Sequence, residues 1–161
     1  MLRRNQRRDA EALRHAGQAL IQYRIAGDRP GEANALNSIG WTHALRGDLA
    51  RGLRPLEKAV TLLRTADHSF NLASTLDSLG YTYSRLGEHD RAITCYQDAM
   101  SALSGLGVPR LSAVILDHLG DACLAAAKPG AARRAWHQAL NLYTDADHHR
   151  VAGVRAKLAA R

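Results

Sequence analysis

The apolar positions of this chain fall on helical faces and return at a fixed interval. In residues 69–108, Leu72, Leu76, Leu79, Tyr83 and Leu86 step by three or four, which puts them on one face of a helix. Gly87 follows, as a residue that ends a helix in the left-handed region. Ala92, Tyr96, Ala99 and Leu103 then make the face of a second helix. The unit is helix, short turn, helix.

The same frame occurs three times, 40 residues apart. Gly40, Gly80 and Gly120 recur inside Leu36-Asn37-Ser38-Ile39-Gly40-Trp41, Leu76-Asp77-Ser78-Leu79-Gly80-Tyr81 and Leu116-Asp117-His118-Leu119-Gly120-Asp121. Gly47, Gly87 and Ala127 follow at the turns, then Gly52, Ala92 and Ala132, then the large Leu56, Tyr96 and Trp136, then Ala59, Ala99 and Ala139. A glycine in mid-helix costs up to ~1 kcal/mol against alanine. Its recurrence implies a packing reason: it lets a bulky residue of the partner helix lie against bare backbone. Self-similarity of this length is the mark of a stacked repeat array.

The register divides the chain into a half repeat at 8–26, whole repeats at 29–68, 69–108 and 109–148, and a terminal capping helix at 149–161, all one domain over 1–161. Ala12 and Ala19 stand 40 residues before Gly52 and Ala59, so the half repeat reads as a second helix without its first. The expected fold is all-α: about eight helices stacked as a right-handed solenoid of antiparallel pairs. The open edge of the half repeat (Leu13, Ala16, Leu20 and Tyr23) is expected to pair with another copy. Pro55 falls inside a helix of the repeat, where it removes a hydrogen bond, so a bend or a later helix start is expected there.

Composition narrows the chemistry. No stretch approaches the ~20 apolar residues of a membrane span, and the first residues lack a secretion signal, so the expected location is cytoplasmic and no membrane partner is expected. Cys95 and Cys123 lie in helical patterns and read as buried reduced thiols. The net charge is +7 and uneven: residues 1–28 carry six Arg against three acids, and residues 109–161 carry eight Lys or Arg against four. Such basic ends suit solvated helix faces better than a nucleic-acid surface. His148 and His149 with Asp145 and Asp147 form the densest polar cluster, matched by Asp67-His68, but turns commonly carry Asp and His. No HExxH, GxSxG or paired-Cys motif occurs. The reading is therefore no enzyme, no catalytic residues, no metal and no cofactor.

The frame Leu76, Leu79-Gly80, Tyr83, Gly87, Ala92, Tyr96 and Ala99 resembles the tetratricopeptide consensus, with His43 and Cys123 departing at the slot of Tyr83. The longer period is similar to repeats of kinesin light chains and bacterial regulators. Thr75 to Tyr81, Leu116 to Asp121, Asp145 to Val151 and Val154 to Leu158 look like the C-terminal repeats of actinobacterial antibiotic-regulatory-type transcriptional regulators. The resemblance implies a protein- or peptide-binding scaffold with a concave face lined by the first helix of each repeat. Carried over position by position, the binding residues would be Asn34, Asn37, Ser38 and Trp41, then Ser74, Asp77, Ser78, Tyr81 and Arg85, then Asp117, His118 and Asp121. Trp41 and Tyr81 are expected to be exposed anchors. Asp77, Asp117 and Asp121, with Arg85 as their only nearby cation, lead to the expectation of a partner with a basic or donor-rich segment.

Overall fold

The structure, a computed structural model, describes residues 2–66, 68–144 and 147–160, with side chains from Arg8 onward. Asp67 and Asp145 of the two Asp/His turns lie outside the described residues. The described helices are α1 (Leu2–Ala26), α2 (Arg29–Leu45), α3 (Leu49–Arg64), α4 (Ser69–Arg85), α5 (His89–Ala102), α6 (Pro109–Ala125), α7 (Pro129–Leu142) and α8 (His148–Ala159). No strand occurs among the described residues. Among them, too, no helix is long and apolar enough to cross a membrane.

Each whole repeat is one antiparallel pair: α2 with α3, α4 with α5, α6 with α7. The turns within pairs follow the expected chemistry. Gly47 and Gly87 both have φ 81°, and Ala127 takes φ 57° at the third turn although it carries a Cβ. The Asp28 carboxylate accepts a hydrogen bond from the Gly31 N–H at 2.9 Å and caps α2.

The small–large reciprocity holds the pairs together. A Cβ placed on Gly80 would lie 2.7 Å from Tyr96 Cε1, and one on Gly40 would lie 2.5 Å from Leu56 Cγ. At Gly120 the Trp136 indole sits closer still. Leu56, Tyr96 and Trp136 are buried by this contact, and Ala59, Ala99 and Ala139 are fully buried. One continuous core runs from Leu56 to Val154, and a second, smaller one gathers Ala33, Leu36, Ala59 and Leu63 beside Leu20 of α1.

Two expectations change. The first helix extends back to Leu2, beyond the half repeat read from residue 8. Helix α3 begins at Leu49, in step with His89 and Pro129, so Pro55 does not delay its start. The physical reason is tertiary: Leu56, next to the proline, is clamped against Gly40, and packing outweighs one lost backbone hydrogen bond.

The edge of α1 is open, as its unpaired register implies. Leu13, Ala16 and Leu20 are half-buried, while Ile21, Tyr23 and Ile25 are exposed.

Candidate functional site

The first helices of the repeats, α2, α4 and α6, lie side by side, with α2 touching α4 and α4 touching α6. Because the repeat is 40 residues, residues 40 apart meet across neighbouring helices. Trp41 meets Tyr81 and Asp117 meets Lys157 in this way. By register Asn37, Asp77, Asp117 and Lys157 are equivalent positions, a ladder along the sequence flanked by Ser38, Ser78, His118 and Leu158 and by Trp41, Tyr81 and Asp121.

The ladder is cross-linked. Asp77 Oδ1 on α4 lies 2.7 Å from His118 Nδ1 on α6. Lys157 Nζ on α8 donates to Asp117 Oδ1 and to Asp121 Oδ2, both at 2.7 Å. Burial pushes the His118 imidazolium down, yet the Asp77 hydrogen bond and charge, with Asp117 and Asp121 behind it, lift it above its ordinary value. Burial likewise lowers Lys157, and its two carboxylates more than restore it.

This arrangement corrects the charge expectation. Arg85 is not the only cation near the three carboxylates: Lys157 closes two of them, and the third, Asp77, is hydrogen-bonded to the His118 ring. Asp117 is itself buried, and its carbonyl accepts from the Trp136 indole N–H at 3.3 Å. The face is therefore not a row of uncompensated negative charge.

Trp41 and Tyr81 are also not freely exposed. Their rings meet edge to face at 5.0 Å across α2 and α4, and each is half-buried by the other. Arg85 is exposed; its Nη1 donates to the Tyr81 hydroxyl at 2.8 Å and its guanidinium stands 5.7 Å from the ring centre. Ser78 is buried, and its hydroxyl donates back to the Ser74 carbonyl at 3.1 Å, so it is spent within its own helix. Ser38 does the same to Asn34, although both remain exposed. Asn37 is half-buried, and its Oδ1 is enclosed without a hydrogen-bond partner. Ser74 is half-buried.

The groove between α4 and α6 has a feature the repeat pattern does not mark. At the N-terminal ends of the two helices, Phe70, Val108, Pro109, Arg110, Leu111 and Val114 line an apolar pocket of about 440 Å³. Phe70 and neighbouring Leu106 are exposed. Phe70 aligns with Pro30 and Arg110, so no recurring residue class points to it. Lys157 carries a faint signal, since it stands in the same row as Asn37, Asp77 and Asp117.

The wider set of proteins agrees with this architecture. A tetratricopeptide repeat family model matches residues 71–145. The crystal structure of BtubC (BKLC) from P. vanneervenii is similar at a TM-score of 0.72 and 18% identity. The match covers 91% of this chain and 62% of BtubC, so the chain spans about three fifths of that protein's length. No curated protein sequence matches the chain. Repeats of this kind generally serve as non-catalytic scaffolds for protein–protein interaction, on concave surfaces made by stacking.

Proposed function

We propose that this protein binds a polypeptide partner in the groove along α2, α4 and α6. The observation that carries the reading is the Trp41–Tyr81 aromatic pair, half-exposed beside Arg85 in the groove that starts at the Phe70–Val114 pocket. Aromatic rings of this kind lose little entropy on binding and dominate many interfaces.

The finer reading is that the chain is the sensor repeat module of a transcriptional regulator, or a short derivative of one. The likeness of the Thr75–Tyr81, Leu116–Asp121, Asp145–Val151 and Val154–Leu158 segments to such regulators supports it. A basic or donor-rich partner segment would have to compete with Lys157 and His118 for the carboxylates. Pairing of two copies along the open edge of α1 (Leu13, Ala16, Leu20 and Tyr23) is a separate proposal, tested by light scattering at high concentration.

The test compares the wild-type chain with a Trp41→Ala, Tyr81→Ala double variant for retention of a partner from the native cytoplasm. Loss of the partner with an unchanged melting curve supports the groove. Equal retention by both proteins overturns it. A complex that collapses steeply with added salt and yields nucleic acid would show phosphate-driven binding instead.

A further inference from the structure

The groove between α4 and α6 has a definite charge order once its internal pairs are counted. In the middle, Asp77 is held by His118, and Asp121 is held by Lys157. At the pocket end stands Arg110, which is highly exposed and reaches the buried Asp147 only through Nε at 3.4 Å. At the far end stands Arg85, whose nearest hydrogen-bond partner is the neutral Tyr81 hydroxyl. Among the described residues, Arg85 meets no carboxylate. Arg110 is thus already paired, the groove's carboxylates are occupied, and it is the Arg85 end that offers a positive charge met by no carboxylate among the described residues.

The apolar surface is equally uneven. The pocket is almost wholly hydrocarbon, built from Phe70, Val108, Leu111 and Val114. At the other end the half-buried Tyr81 ring stands beside Arg85. From Phe70 to Arg85 the helix advances roughly 22 Å at ~1.5 Å per residue. An extended chain covers that distance in about six or seven residues at ~3.3 Å each.

We propose, resting on the groove reading above, that the occupant is an extended acidic segment of a partner protein. One large aliphatic or aromatic side chain fills the Phe70–Val114 pocket, and an Asp or Glu side chain about six residues along meets Arg85. Guanidinium–carboxylate pairing gives the sign of the selectivity, and the apolar pocket gives most of the affinity.

The experiment is a selection of random displayed peptides of about twelve residues on the full chain, repeated on Arg85→Gln and Phe70→Ser. Both substituted side chains are exposed, and thermal melting checks that the fold is retained. The expected consensus is a large apolar residue followed about six positions later by Asp or Glu. For a synthesised winner, Phe70→Ser should weaken binding about tenfold. Changing the acid to its amide should weaken it about fivefold in the wild type and not at all in Arg85→Gln. A consensus rich in Lys or Arg, still sensitive to Trp41→Ala, Tyr81→Ala, would overturn the acidic occupant while leaving the groove reading intact. No enrichment, or enrichment indifferent to every groove substitution, would overturn both.

Discussion

The two sides of helix α6 follow different rules. Toward α7 it presents Gly120, on which the Trp136 indole rests. Toward α4 and α8 it presents His118, Asp117 and Asp121, which pair with Asp77 and Lys157. The first contact is chiefly one of shape: one residue must be small because another is large, and the indole N–H adds a bond to the Asp117 carbonyl. The second is made of charge, and each member is satisfied by a residue one repeat away. Shape complementarity is repeated within every pair, whereas the charge ladder changes its members at every step, from Asn37 to Asp77 to Asp117 to Lys157.

The sharpest way to break the shape contact is Gly120→Ala. The new methyl has no room beside the indole, so the variant should lose about 1–3 kcal/mol of stability. Gly153→Ala is the matched control: it sits in α8 with open space around it and should gain up to ~1 kcal/mol from helix propensity alone. Equal melting temperatures for the two would mean that the glycine serves no packing purpose.

The charge side gives a smaller effect. Lys157→Met keeps the apolar stem and removes the ammonium shared by Asp117 and Asp121. It should cost about 1–2 kcal/mol, between the values of exposed and buried pairs, read as a lower denaturant midpoint with unchanged slope. A variant as stable as the wild type would show that the ladder is ornamental to folding.

These contrasts explain what could be read in the chain. The junctions of Gly40 with Leu56, Gly80 with Tyr96 and Gly120 with Trp136 were legible, because matched sizes recur in register. The groove was less so. Repeat comparison sets each position against its own equivalents, and Lys157 looks there like a departure from Asp117 when it is physically its partner. Trp41 and Tyr81 read as separate exposed anchors for the same reason: their equivalence in the repeat is what brings their rings together. Phe70 belongs to no repeated class, so the pocket it walls emerges only when α4 and α6 are placed side by side.

The smallest effect sharpens the comparison by pH. His118 has a folded value raised above its ordinary 6.5, through Asp77 and despite burial. Its contribution is therefore fully present below pH 6.5 and is lost as the pH rises through the raised value. Melting temperatures should fall slightly across that window, by the equivalent of less than ~1 kcal/mol, and Asp77→Asn should flatten the profile. A stability that rose over the same range, or an identical slope in Asp77→Asn, would contradict the pairing.

None of the side-chain hydrogen bonds or ion pairs among the described residues spans more than 41 positions of the chain, the distance from Asp77 to His118. Every strand of the polar network thus ties a repeat only to its neighbour. Pulled by its two ends, such a molecule has no clasp that holds the whole together. It should yield to force one helix pair at a time, in a train of small extensions, and re-form each pair as the tension is relaxed.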